Sequence, residues 1–101
     1  MSTVFTLICG LNGDKGTPEQ NRAALVSILN ERHPDGYTLV EATGCWNGDV
    51  EPTLLVLFIV RGDSNAFAKG LELETTAWRY KNATGQQEVW ITRREEGLTV
   101  V

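Results

Sequence analysis

Two apolar runs flank a short polar turn in the middle of the chain. Residues 37–43 read Tyr-Thr-Leu-Val-Glu-Ala-Thr and residues 53–60 read Thr-Leu-Leu-Val-Leu-Phe-Ile-Val, with Asn47-Gly48-Asp49-Val50 between them. Asn-Gly between such runs is the strongest short-range hairpin signal, because both residues tolerate the positive φ of a tight hairpin turn. The stretch 37–61 therefore predicts one long β-hairpin. Ahead of it, residues 3–11 are rich in Val, Phe, Ile and Leu and end at Gly10 and Asn12-Gly13, which predicts a first strand. Thr17-Pro18-Glu19-Gln20 then announces a helix, with Thr17 as cap, Pro18 at the first position and Gln20 completing a capping box. Ala24, Leu25, Ile28 and Leu29 fall on one face of about four turns, and Pro34 ends the element.

After the hairpin, Gly62-Asp63-Ser64 supplies a second helix start, with Asp63 or Ser64 as the capping side chain. Phe67, Leu71 and Trp78 lie along one helical stripe with Thr75 between them, which predicts a single helix to about residue 82. Gly70 and Thr75-Thr76 weaken it by propensity, and a break near Glu74 with 75–80 extended is the alternative. Gly85 sits where a helix-ending glycine belongs. Val89 and Ile91 alternate with Glu88, Trp90 and Thr92, so 86–93 reads as the last strand. Residues 95–101 either fray or add a short terminal strand.

The order β-α-β-β-α-β is the split βαβ of ferredoxin-like α+β folds, in a single domain spanning 1–101. The fold type brings with it an antiparallel sheet in order 4-1-3-2 with both helices on one face. Strands one and three would be central, and they are the most continuously apolar segments. Parity across the hairpin turn places Val40, Ala42 and Gly44 with Leu55, Leu57 and Ile59. Their small members suit close approach of a helix, so this is the expected helix side. The other face would carry Tyr37, Leu39, Glu41 and Thr43 with Leu54, Val56 and Phe58, joined by Val4, Thr6, Ile8 and Trp90. Such a face exceeds the apolar patch usual on a monomer. The expectation is a homo-oligomer through Ile8, Leu54, Val56 and Phe58, with a ligand cavity between sheets bounded by Glu41, Thr43 and Thr6.

Charge narrows the partners. A net charge of −4 argues against binding nucleic-acid backbones, and Arg93-Arg94 is cancelled at once by Glu95-Glu96. The N-terminal residues lack a basic n-region and a long apolar run, and 54–60 is a third of a membrane span, so a cytoplasmic protein is expected. Cys9 and Cys45 read as small buried hydrophobes in a reducing compartment. No cofactor and no metal are expected: His33 is the only histidine, it precedes Pro34 at a helix end, and it reads as solvated or as a helix-end group.

The glycine-rich loop 10–17 entering a helix could present amides to an anion, with Lys15 and Arg22 adding charge, although it lacks the Lys-Ser/Thr order of a phosphate loop. Glu41 and Glu51 are the carboxylates on or beside the hairpin; their spacing shows no acid–base pair, and each reads as a solvated strand carboxylate. Trp46, Trp78 and Trp90 are packing residues by default and ligand-stacking residues by alternative. The candidate ligand-binding set is Thr6, Lys15, Arg22, Tyr37, Glu41, Thr43, Trp46 and Trp90, with no catalytic residue assigned.

Pro34-Asp35-Gly36-Tyr37-Thr38, Glu41-Ala42-Thr43-Gly44-Cys45-Trp46, Glu51-Pro52-Thr53, Tyr80-Lys81 and Gly85-Gln86-Gln87-Glu88-Val89 together resemble a family of small bacterial and phage proteins known only as a domain of unknown function. The opening Ile8-Cys9-Gly10-Leu11-Asn12 is similar to its phage members. The resemblance supports one long second helix and implies no catalytic residues. The leading expectation is a non-catalytic binding protein, phage-encoded, opposing a host defence by sequestering a small anionic or nucleotide-like ligand or by blocking a host protein. A dimeric α+β barrel enzyme with Glu41 as its acid–base group is the second expectation, and a structural oligomer the third.

Overall fold

Six elements follow one another as β1 (Ser2–Gly10), α1 (Pro18–Arg32), β2 (Thr38–Trp46), β3 (Asp49–Arg61), α2 (Asp63–Thr84) and β4 (Trp90–Glu96). The computed structural model describes residues 2–97, 99 and 101. The strands form one antiparallel sheet in the order β2-β3-β1-β4, and both helices pack on one of its faces in a ferredoxin-like α+β arrangement. Asn47 and Gly48 take φ of 50° and 85°, the two-residue turn that the hairpin signal requires.

Local chemistry explains most boundaries. Gln20 donates its backbone N–H to Thr17 Oγ1 at 3.2 Å, and Thr17 returns its own N–H to Gln20 Oε1 at 2.9 Å, so the capping box opens α1. The start of α2 differs from expectation: Gly62, at φ 88°, is the capping residue, and neither Asp63 nor Ser64 makes a side-chain cap. The helix is continuous through Glu74 and ends at Gly85 in the left-handed region, its N–H donating to Lys81 O at 2.9 Å. β4 begins at Trp90, later than residue 86; Gly85 and Gln86 lie against Gly13 and Asp14 of the loop after β1.

The two faces of the hairpin are the reverse of those expected, whereas Val4, Thr6, Ile8 and Trp90 lie on the open face as expected. Phe5 lies opposite Phe58, Leu7 opposite Val56 and Cys9 opposite Leu54. All six are buried against Leu25, Ile28 and Leu29 of α1 and Ala66, Leu73 and Tyr80 of α2. Leu54, Val56 and Phe58 are therefore the helix-side core and not an oligomer surface. Removing each large apolar side chain from water contributes roughly 1.5–3 kcal/mol, so the helix layer claims the residues that fill it best. The open face carries Val40, Leu55, Ile8 and Trp90 in one cross-strand row, with Leu57, Thr6 and Thr92 in the next.

Helix α2 is also rotated from its expected stripe. Ala66, Leu73, Ala77 and Tyr80 face the core, whereas Phe67, Leu71 and Trp78 are 69%, 54% and 61% exposed. The buried set includes alanines at two positions, which lets the backbone sit close to the sheet; Gly70 comes within 3.7 Å of the Phe5 ring by the position its Cβ would take. Among the described residues, no helix is long and apolar enough to cross a membrane.

Candidate functional site

At the end of the sheet where the hairpin turns, two glycines make a lane across the open face. Gly44 pairs with Glu51, and Gly10 pairs with Thr53 two residues further along β3. The Glu51 side chain lies back over Gly10. A Cβ at Gly10 would stand 2.5 Å from the carboxyl carbon and from both oxygens of Glu51, so only glycine admits the carboxylate there. Glu51 is 8% exposed although it belongs to the open face. Its Oε2 accepts from the Asn12 backbone N–H at 3.0 Å and from Gln86 Nε2 at 3.4 Å. Among the described residues no donor reaches Oε1, and no buried side-chain polar atom lacks a partner, so Oε1 is not sealed from the cleft that Glu51 lines.

Trp46 and Trp90 stand on the two outer strands, about 14 Å apart at the usual spacing, yet their ring centroids are 5.9 Å apart at a 42° tilt. They lean inward over the glycine lane and wall a cleft of about 470 Å³ floored by Glu51, Gly10 and Gly44 and edged by Asn12, Asp14, Gln86 and Glu88. Trp90 donates its indole N–H to Glu88 Oε2 at 3.1 Å, which sets the ring's angle. Among the described residues, three carboxylates line the cleft and no Lys, Arg or His does. Its field favours a cation or a hydroxyl donor over an anion.

The floor is held rigidly. Buried Asn21 donates to Leu11 O at 2.8 Å and Gly13 O at 3.0 Å. The Lys15 backbone N–H donates to Thr84 O at 3.0 Å, and its ammonium to Asn82 O at 2.8 Å. Tyr80 donates its phenol to the Gly10 carbonyl. The loop after β1 is thus fixed to the end of α2, the pre-organisation that a binding site needs. Burial pushes the Tyr80 phenol up and holds the Cys9 thiol at about 12, so both stay neutral and serve as packing.

Of the residues expected to bind a ligand, the structure brings Trp46 and Trp90 together in this cleft, with Ile8 beside them. The others lie elsewhere. Thr6 is in mid-sheet on the open face. Arg22 pairs with Glu41 at 2.7 Å on the helix side, where Thr43 also points, so neither carboxylate nor hydroxyl reaches a cavity on the open face. Tyr37 donates to Asn30 Oδ1 at the edge of the core. Lys15 is spent on the α2 carbonyls. Cys9 is buried as expected, but Cys45 is exposed. Glu51, expected as a solvated strand carboxylate, is instead nearly buried on the cleft floor, where Asn12 and Gln86 hold it. Its only signal in the sequence was a carboxylate between Val50 and Pro52, since its partners come from remote segments.

A second polar cluster occupies the helix layer about 23 Å away along β3. His33 is buried, not solvated, at the α1 C-terminus, edge-on to Phe58 at 4.9 Å. Thr76 gives its hydroxyl proton to Glu72 O at 3.0 Å and so accepts from His33 Nε2–H at 2.7 Å and Arg32 Nε at 3.0 Å. Nδ1 then accepts from the Lys69 ammonium at 3.2 Å. Burial, with Lys69 adding to it, pushes the imidazole down to about 4. No group of residues suited to a metal ion occurs among the described residues.

No protein-family model matches the sequence, and no curated protein matches it. The fold is similar to that of a phage SAM lyase in complex with S-methyl-5'-thioadenosine, at 19% identity and a TM-score of 0.65 over 93% of this chain and 81% of that one. The apo state of phage SAM lyase gives 17% identity and 0.63 over 91% and 78%. A de novo designed protein, Foldit4, gives 11% identity and 0.58 over 96% and 100%. At these identities the likeness is one of fold.

Proposed function

We propose that the chain binds a small adenosine-type ligand in the cleft beneath Trp46 and Trp90. One observation carries the reading: a nearly buried carboxylate, Glu51, keeps one oxygen free toward an open cleft walled by two indoles. Aromatic faces take a purine by stacking or a sulfonium by cation–π attraction. A carboxylate accepts the hydroxyls of a ribose or stands against a positive charge. Asp14, Glu51 and Glu88 repel phosphate, so the ligand is a nucleoside or a cationic nucleoside rather than a nucleotide, and the anionic alternative is set aside. The phage lyase seen with S-methyl-5'-thioadenosine supports this choice, because that ligand is an adenosine whose 5'-hydroxyl is replaced by a methylthio group and carries no phosphate. In a phage setting, withdrawing such a host metabolite would oppose a defence that depends on it.

Binding without turnover is the first reading. A second, turnover of SAM, is favoured by the neighbour's being an enzyme. The deciding experiment titrates the purified chain calorimetrically with S-methyl-5'-thioadenosine and with SAM, then follows SAM by chromatography over time. Saturable heat with SAM recovered intact supports sequestration, and release of S-methyl-5'-thioadenosine supports turnover. No heat with either compound, or heat unchanged in Glu51→Gln, sinks both.

A further inference from the structure

Among the described residues, two adjoining surfaces have no partner within the chain. β4 is an edge strand, paired with β1 on one side only. Beside it Phe67, Leu71 and Trp78 stand exposed on α2, and a groove of about 630 Å³ runs between Ala77, Trp78 and Lys81 of that helix and Val89, Trp90 and Ile91. An unpaired edge is a ready template for another strand.

We propose that a second copy of the chain covers both, its β4 pairing antiparallel with this one about a two-fold axis. The order of four charges along β4 favours such a pair, independently of any ligand in the cleft. An antiparallel two-fold pair that keeps the helices on one side must have its axis normal to the sheet, so residues directly opposite share a face. Arg93 and Glu95 point to the helix side; Arg94 and Glu96 point to the open side. With Arg94 on the axis, Arg93 lies opposite the partner's Glu95, and Arg94 is diagonal to the partner's Glu96. With Glu95 on the axis, Arg94 lies opposite the partner's Glu96, and Arg93 is diagonal to the partner's Glu95. Each register sets two arginine–glutamate pairs directly opposite on one face and a single like pair on the axis of the other, where arginine and glutamate meet diagonally, whereas the same charges in the order Arg-Glu-Arg-Glu would set like against like on both faces. The charges already pair within the strand, Arg93 with Glu95 at 3.3 Å and Arg94 with Glu96 at 2.5 Å, so they meet the partner pre-aligned. The same operation brings the first half of α2, where Gly70 stands level with Phe5 and Arg93, alongside the partner's α2.

The test measures mass by light scattering and native mass spectrometry across a concentration series, with circular dichroism checking the fold. Wild type should be dimeric. The double variants Arg93→Glu with Arg94→Glu, and Glu95→Arg with Glu96→Arg, should each be monomeric alone and form a heterodimer when mixed. Leu71→Asp should weaken the dimer tenfold or more. A wild-type monomer at every concentration overturns the proposal, as does a dimer that survives both charge variants. An oligomer lost only in Ile59→Asp would place the contact on the open sheet face and overturns it equally, as would capture of a different protein by this edge with no self-association.

Discussion

Glu51 and His33 are both ionisable groups withdrawn from water, and they are withdrawn in different ways. Every polar atom of the His33 ring has a partner from its own chain, and Phe58 closes the remaining side. Glu51 has two donors on one oxygen and an open cleft before the other. A buried polar group with all its hydrogen bonds made holds a fold together. One left partly unmade at the edge of a cavity is a place for something else to bind. The difference predicts that stability follows His33 and affinity follows Glu51.

Acidification should have the largest effect on that comparison. In the folded chain His33 titrates at about 4 against 6.5 in the unfolded chain, so the unfolded state takes up its proton first as pH falls. The contribution is complete above pH 6.5 and is lost as pH falls toward 4, about 3 kcal/mol in all. Urea unfolding at pH 7 and pH 4 measures it, and His33→Gln should flatten the difference while leaving ligand affinity unchanged. Next is Tyr80→Phe, which leaves the buried Gly10 carbonyl unpaired and should cost about 2 kcal/mol of unfolding free energy. Glu51→Gln should do the reverse. Affinity for S-methyl-5'-thioadenosine by calorimetry should fall roughly tenfold to a hundredfold, as for loss of one charge-assisted bond of about 1.4–3 kcal/mol, with stability changed by less than about 1 kcal/mol. Smallest in stability is Gly10→Ala. Its methyl pushes aside a side-chain end and no backbone, so it should cost about 1 kcal/mol while weakening the ligand as Glu51→Gln does. Stability lost in Glu51→Gln with affinity kept would erase the distinction.

What was legible in the sequence was local. Asn47-Gly48 announces its turn, Thr17 to Gln20 its cap and Gly85 its helix end, because each of those signals is satisfied by neighbours in the chain. Orientation was not legible. β1 and β3 are apolar on both faces, Phe5 and Leu7 alternating with Val4 and Ile8, and Leu54 and Val56 with Leu55 and Leu57. Parity therefore sorted the residues correctly across the hairpin without saying which set meets the helices. In α2 the larger residues drew the eye to Phe67, Leu71 and Trp78, while the core took Ala66 and Ala77, whose small size permits contact. An apolar open face was expected and an apolar open face is present, composed of the other row. Glu51 was hidden for a further reason: the amides of Asn12 and Gln86 that hold it stand 39 and 35 residues away.

The leaning of Trp46 and Trp90 across the glycine lane also has an optical consequence. Two indoles at 5.9 Å and a fixed 42° tilt are close enough for their transition dipoles to couple, which gives a paired positive and negative band in circular dichroism. Trp78 stands apart on α2 with Lys81 over its ring and should report as an isolated chromophore. The molecule thus carries a label-free gauge of its own cleft and an internal reference beside it. A ligand entering over Glu51 would change the coupled signal and leave the solitary one in place.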